Sequence, residues 1–532
     1  MVTRDGDAEG VHTQLFARVW PQVFCHQSNP QNNTMSIPHY PLFIGGEFVE
    51  GTAKSRFEAI NPYKKAVWAT VAEAGEQDVR RAIAGARHAF ESTWSKTSGL
   101  QRSKLMHRLA DLLESNAARM GALESTDNGK VIRETRPQMI FAARAYRFFA
   151  GYADKLWGSQ MPLDSRDLIN YTTRQPIGVV AMIIPWNSPI GILANKLAPA
   201  LAAGNCVVIK PSEHASVTTL EFAKLVAEAG FPPGVVNVVC GGADVGRALV
   251  SGGVNKVSFT GSTMVGRELA SLAGQCLLPV TLELGGKSPN IIFDDADFEK
   301  AVNGVLGGIY GATGQTCVAG SRLLVQHGIH DRLVTQLAER AGKIRMGNPL
   351  DEATEMGTVA NEPQFRRILN CIATATAAGA RLVAGGSAAT GKHLETGYFI
   401  QPTIFDQVDN AMQIAREEVF GPVLSVIAFG TEEEALEIAN DSPYGLAAGV
   451  WTQNIGRAHR MARDIQAGLV WVNTYRAVAI QAPFGGLKES GFGRERGEEA
   501  LDGYLTTKNI AINIAVDSHG ANADPFAIKG LT

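Results

Sequence analysis

Cysteine is scarce in this chain: six in 532 residues, Cys25, Cys206, Cys240, Cys276, Cys317 and Cys371, with no C-x-x-C pair among them. That spacing excludes a disulfide framework and a zinc knuckle, and it fits a reducing, cytoplasmic setting. His327 and His330 are the only closely spaced histidines, and no cysteine or second histidine pair accompanies them, so no metal is expected. Neither sign of charge dominates, with 49 Lys and Arg against 52 Asp and Glu. No broad field is therefore available to hold nucleic acid or an anionic membrane, and the expected partner is a small molecule. A membrane span is missing too. The longest uncharged stretch, 175–195, is broken by Pro185, Asn187, Ser188 and Pro189, and reads as a strand running into a loop and a helix. The G-x-G-x-x-G dinucleotide fingerprint is also absent; Gly241-Gly242 and Gly491-Phe492-Gly493 are poor substitutes.

The length allows roughly three to four compact units. Residues 1–34 mix charges, prolines and Gln-Asn-Asn without an apolar signal core, and are expected to be disordered or to precede a true start at Met35. Apolar residues at helical spacing (Val79, Ile83, Ala86, then Leu105, Leu109, Leu112, Leu113) predict long amphipathic helices over 77–94 and 101–128. From Pro176 the texture changes to short β-branched runs at 178–184, 206–209, 235–239, 257–259 and 280–284, separated by helix-like stretches such as 217–229. This βαβ alternation implies an α/β fold with a doubly wound parallel sheet. A second alternation over 290–472 predicts another such sheet, the one carrying Cys317, with a boundary near Gly285-Gly286.

Cys317 lies in the Gly-rich segment Gly314-Gln315-Thr316-Cys317-Val318-Ala319-Gly320, 34 residues after Glu283. A thiolate can attack a carbonyl, and a carboxylate can then activate water to release the acyl group. Taken alone, Cys317 would be a core cysteine. Its company says otherwise. In order along the chain come Pro185-Trp186-Asn187-Ser188-Pro189, Lys210-Pro211-Ser212-Glu213, Phe259-Thr260-Gly261-Ser262, Leu282-Glu283-Leu284-Gly285-Gly286-Lys287, the Cys317 segment, Glu418-Val419-Phe420-Gly421-Pro422 and Pro483-Phe484-Gly485-Gly486. Gly261-Ser262 places a glycine turn and a hydroxyl at a helix start, where free amides can hold phosphate. Lys210 and Glu213 follow a strand and can hold ribose hydroxyls, with Glu213 opposing a 2′-phosphate.

This set resembles the aldehyde dehydrogenases, over about Phe43 to about Lys508. The resemblance implies an NAD-dependent enzyme, NADP remaining open, that oxidises an aldehyde through a cysteine thiohemiacetal and thioester released by water. Cys317 would be the nucleophile, Glu283 the deacylation base and Asn187, with the Cys317 backbone N–H, the oxyanion donor. Lys210 and Glu213 would contact the adenosine ribose, and Glu418 and Phe420 the nicotinamide ribose. Ile183, Pro185, Trp186, Ser212, Phe259, Gly261, Ser262, Val265, Leu284 and Gly285 would complete the cofactor contacts. By the same resemblance, 35–156 with 176–285 form the dinucleotide-binding domain and 286–485 the catalytic domain. Residues 157–175 and 486–532 would supply a β arm exchanged between subunits of a homodimer or homotetramer, together with the C-terminal segment.

Where many relatives have an aromatic after Trp186-Asn187 this chain has Ser188, and Asn195 stands where a bulky aromatic is frequent. Thr316 and Val318 flank the nucleophile, and Arg476, Val478 and Phe484 are expected at the mouth of the pocket. A bulky or polar catabolic aldehyde fits such a lining, and Arg476 offers a partner for an anionic tail. Two other readings stay open: a semialdehyde-specific or acyl-transferring member of the superfamily, and a catalytically silent NAD-binding homologue. Glu283 weighs against transfer to coenzyme A, and the intact set of Asn187, Glu283 and Cys317 weighs against silence.

Overall fold

Two large β-sheets position everything that follows. The computed structural model describes residues 37–391 and 394–514; the expectations for 1–34, and Cys25 with them, lie outside the described residues. In the first sheet, five parallel strands run side by side as Val280–Glu283, Lys256–Thr260, Val179–Ile184, Cys206–Pro211 and Val236–Val238. Antiparallel edges are added by Gly491–Phe492 on one side and by Leu42–Ile44 with Glu47–Val49 on the other. The central strands Val179–Ile184 and Cys206–Pro211 are buried throughout and rich in Val and Ile, as expected for strands covered by helices on both faces. Chain order reverses between Val179–Ile184 and Lys256–Thr260, so a crevice opens beyond their carboxyl ends.

The second sheet orders Arg381–Ala384, Thr403–Asp406, Val423–Phe429, Arg322–Gln326, Pro289–Ile292, Ala447–Trp451 and Leu469–Val472, all parallel except the first. The molecule is thus α/β, built on two doubly wound parallel sheets. A separate three-stranded antiparallel sheet pairs Leu168–Pro176 with Leu505–Asn513 over nine residues and adds Gln160–Met161 on the other side.

One expected element is divided. In place of a single helix over 101–128 there are two, Gly99–Ser115 and Ala117–Asn128. Asn116 separates them with φ −96° and ψ 8°, and its Nδ2 donates to the Leu112 carbonyl at 2.9 Å. An amide side chain that bonds the backbone locally competes with the helical ladder, and apolar periodicity cannot register this. No helix among the described residues is long and apolar enough to cross a membrane.

Candidate active site

Asn187 leaves the carboxyl end of Val179–Ile184 through Pro185-Trp186, just before the helix Pro189–Ala203, which opens with proline in its first turn. Proline is preorganised for that position. Asn128 Nδ2 donates to the carbonyls of Trp186 (3.1 Å) and Asn187 (3.4 Å), which pins the loop. Glu283 ends the strand Val280–Glu283, in register with Thr260 on one neighbour and Gly491 on the other.

Cys317 sits between the helix Phe298–Tyr310 and the strand Arg322–Gln326. Before it, Ala312, Thr313 and Gly314 take φ of 53°, 57° and 70°, a left-handed run that reverses the chain. For the two non-glycine residues this conformation is strained and needs surrounding support. Support comes from Glu134 Oε1, which accepts from Ala312 N at 2.9 Å, and from Gln315, whose Nε2 donates to the Thr358 carbonyl (3.2 Å) and whose Oε1 accepts from Ala360 N (2.9 Å). A Cβ on Gly286 would stand 2.5 Å from the Cys317 carbonyl oxygen, so the chain leaving Glu283 can pass the Cys317 loop only as glycine.

These three elements meet at one cavity of about 380 Å³, whose walls include Asn187, Glu283 and Cys317. Every residue expected in the substrate pocket also faces it: Ser188, Asn195, Thr316, Val318, Arg476, Val478 and Phe484. Asn187 Nδ2 donates to the Gln315 carbonyl at 2.9 Å, which leaves its second N–H for a ligand. Among the described residues the Cys317 backbone N–H donates to no carbonyl and is directed at its own sulfur. Both carboxylate oxygens of Glu283 are buried without a hydrogen-bond partner. Burial first, then the charge of Glu495, holds its carboxyl well above the usual range. Burial pushes the Cys317 thiol up to about 12, with Glu418 and Glu283 adding to it and Arg496 opposing. Among the described residues the buried cysteines, Cys206 and Cys240, lie within the core of the first sheet.

Several cavity residues had not been singled out from sequence. Glu495 and Arg496 line the wall. Behind them Lys196 Nζ, fully buried, lies 2.5 Å from Glu495 Oε1 and donates to Ser258 Oγ at 3.2 Å. The signal was present: Lys196 is the one charged residue in the helix Pro189–Ala203, and a lone cation on an otherwise apolar buried helix requires a partner. Lys130 is buried behind Ser188, donating to its Oγ and to Gln138 Oε1 at 3.1 Å.

Most residues expected to contact a cofactor lie on or next to strands of the first sheet, and Glu418 and Phe420 come to them from the loop before Val423–Phe429 of the second. Trp186 and Phe420 meet edge to face, with centroids 5.2 Å apart. Ser262 Oγ accepts from Val265 N at 3.3 Å and caps the helix Thr263–Gln275 directly after Gly261. Buried Lys210 donates to the Pro211 carbonyl at 3.1 Å and stands 3.7 Å from Glu213 Oε2; desolvation lowers its pKa. Ser212 Oγ accepts from His214 N at 3.3 Å. Ile183, Phe259 and Leu284 are buried apolar walls. Glu418 Oε1 accepts from Gly286 N at 3.0 Å, and a Cβ on Gly285 would stand 2.6 Å from Glu418 Oε2. Burial raises the Glu418 carboxyl to about 7. His330 is engaged elsewhere, bonded to Asp331 and Asp406 at 2.9 Å each. Among the described residues no group of three or more His, Cys, Asp or Glu side chains is placed to hold a metal ion.

Comparison with known proteins places this arrangement. The model of the aldehyde dehydrogenase family matches residues 48–510. A (Z)-2-((N-methylformamido)methylene)-5-hydroxybutyrolactone dehydrogenase of Acinetobacter baylyi is 46% identical, over 93% of this chain and 100% of that protein. The human mitochondrial aldehyde dehydrogenase is 43% identical over 93% of each. Among solved structures, betaine aldehyde dehydrogenase of Staphylococcus aureus in complex with NAD+ superposes with a TM-score of 0.89 at 40% identity, covering 91% of this chain and 97% of that one. The chain belongs to the aldehyde dehydrogenase family.

Proposed function

We propose that this protein oxidises an aldehyde to its carboxylic acid with NAD+ through a covalent intermediate on Cys317, released by water. The observation that carries the reading is the convergence of Cys317, Asn187 and Glu283, from three separate elements, on one cavity of about 380 Å³. That volume lies within the range of small-molecule sites.

The residues around the crevice fit a dinucleotide. Lys210 and Glu213 offer a donor and an acceptor for a ribose diol, the capped start of Thr263–Gln275 offers amides to phosphate, and Glu418, whose close approach a Cβ on Gly285 would block, offers a carboxylate to a second ribose. Glu213 favours NAD over NADP, because a 2′-phosphate would meet its carboxylate. Held there, the cofactor supplies a hydride acceptor.

The chain's own groups do the rest. The Cys317 thiol gives up its proton to water and its sulfur adds to the aldehyde carbon, the carbonyl π pair moving onto oxygen. The resulting oxyanion is met by the free N–H of Asn187 and the backbone N–H of Cys317; losing one such donor typically costs about 2.7 to 4 kcal/mol of barrier. After oxidation to the thioester, Glu283 takes a proton from water, which attacks the acyl carbon and returns the thiol. Burial keeps the Glu283 proton affinity high, as a base must have to take that proton. A carboxylate at this place favours water over coenzyme A as the acyl acceptor. We place the enzyme in the cytoplasm as a homodimer or homotetramer, with the Leu168–Pro176 and Leu505–Asn513 sheet as the arm that subunits share, and its substrate among bulky or polar catabolic aldehydes.

The test is NADH formation at 340 nm over aliphatic, aromatic, carboxylated and heterocyclic aldehydes, with NAD and NADP in parallel and with and without coenzyme A. We expect NAD-dependent turnover to the free acid, abolished in Cys317→Ala. Acyl-coenzyme A as product, or turnover surviving in Cys317→Ala, overturns the scheme.

A further inference from the structure

Arg496 is the least explained charge in the cavity wall. It belongs to a charged triplet, Arg494-Glu495-Arg496, set between Gly493 and Gly497. The other two members are committed. Arg494 Nη1 donates to the carbonyls of Gly486 (3.1 Å) and Gly493 (2.8 Å), and Glu495 is paired with Lys196. Arg496 has a single hydrogen bond among the described residues, from Nε to Asn195 Oδ1 at 3.2 Å, and no ion pair. Its two Nη groups are left over.

The surroundings fix the direction of that fork. The guanidinium lies 5.0 Å from the Phe484 ring centroid and 5.5 Å from that of Phe141, and both rings line the same cavity. Contact with aromatic faces orients the plane without consuming a hydrogen-bond donor. The backbone of Arg496 is left-handed at φ 58°, a strained state for a long side chain that the fold holds in place. Glu495, Cys317 and Glu283 act on this half-buried cation through space, but among the described residues none accepts a hydrogen bond from it, so its two Nη groups remain for a ligand that enters the cavity. Arg476, the other arginine of the wall, is less suited: its Nη1 is spent on the Gly307 carbonyl at 3.1 Å and it stands on the largely exposed loop 473–479.

We propose that Arg496 is a substrate-binding residue that selects aldehydes carrying a second oxygen acceptor, a carboxylate or a carbonyl, held by its two Nη groups while the aldehyde carbon faces Cys317. Asn195, by fixing Nε, is a positioning residue for that fork. Planar two-point recognition of oxygen is what a guanidinium offers and an ammonium does not. The inference rests on the reaction proposed above and adds its substrate class.

Three aldehydes of similar size separate the possibilities: 4-formylbenzoate, 4-formylbenzamide and 4-methylbenzaldehyde. The wild-type enzyme should favour one or both of the first two over the third by about 10- to 100-fold in kcat/KM, the span of a charge-assisted hydrogen bond. Preference for the benzoate alone identifies a carboxylate as the acceptor, and preference for both identifies any carbonyl oxygen. In Arg496→Leu that ratio should fall toward one through a rise in KM, and Arg496→Lys should restore part of the carboxylate preference. A ratio unchanged in Arg496→Leu overturns the assignment. So does an equal loss of kcat on all three substrates, which would place Arg496 on the thiol and not on the substrate. If the wild type oxidises none of the three, the proposed reaction fails by itself. Calorimetric binding of 4-formylbenzoate against 4-methylbenzaldehyde to Cys317→Ala, with and without Arg496→Leu, then still decides the role of Arg496: tighter binding of the benzoate that depends on Arg496 supports it, and equal binding removes it.

Discussion

Glu283 is buried with neither carboxylate oxygen bonded, an arrangement that costs stability and is intelligible where the group must take a proton from water. Its carboxyl is held above the usual range by burial and then by Glu495, so it is protonated over more of the neutral range than an ordinary glutamate. The base acts in its ionised form. Steady-state turnover should therefore rise with pH through that raised pKa and flatten above it. Glu283→Gln should still form the thioester, giving a burst of about one NADH per active site and then a steady rate lower by roughly 10²- to 10⁴-fold, the usual worth of a general base. Loss of the burst together with the steady rate would instead give Glu283 a part in the first half-reaction. Of the groups at this site, the sequence makes Cys317, Glu283 and Asn187 legible because each stands in a motif of its own. Lys196, Glu495 and Arg496 are harder to find, because what matters about them is contact: Lys196 and Glu495 pair across 299 positions of sequence, and only the folded chain brings them together.

At the scale of elements, the Cys317 loop is shaped by glycines that carry no chemistry. A Cβ on Gly286 would lie 2.5 Å from the Cys317 carbonyl oxygen, against backbone that cannot move without moving the nucleophile. Gly286→Ala should destabilise by about 1 to 3 kcal/mol, the range for overpacking. It should also lower kcat/KM by roughly 10²-fold, since a displacement of about 1 Å is enough for that. Gly85→Ala is the matched contrast. Gly85 lies inside the helix Glu76–Ser92 with open space where its Cβ would go, and alanine there should stabilise by about 0.5 to 1 kcal/mol with activity retained. Thermal melts and steady-state kinetics of the two variants check both signs, and equal effects would remove the loop from the argument. Strands such as Val179–Ile184 and Cys206–Pro211 are easily read in sequence, because full burial on both faces favours near-continuous apolar runs rich in Val and Ile. The break at Asn116 is not, since Leu105, Leu109, Leu112 and Leu113 keep one helical rhythm up to it and the interruption is a local side-chain bond. Nor is the pairing of Leu168–Pro176 with Leu505–Asn513, whose residues mix polar and apolar without strict alternation and lie far apart along the chain.

That last sheet sets the question for the whole molecule. Leu505–Asn513 is an outer strand of nine residues; among the described residues no further strand covers its other side, and Ile512 and Ile514 are 42% and 47% exposed. An edge over 505–512 that no described strand covers, and that bears isoleucine, invites pairing, and a separate three-stranded sheet gains much of its stability from what it packs against. A second copy of the chain supplies such a surface with closed symmetry. Sedimentation of the full-length protein should therefore show a homodimer or a larger closed assembly. Placing like charges on the edge with Ile510→Asp and Ile512→Asp should shift the distribution toward smaller species and lower the melting temperature, because the strand then presents repulsion where it had apolar contact. Wild-type protein that sediments as a monomer at micromolar concentration would refute the shared arm. An assembly insensitive to the two aspartates would move the interface to another face and leave the nine-residue pairing as an internal brace between the two ends of the fold.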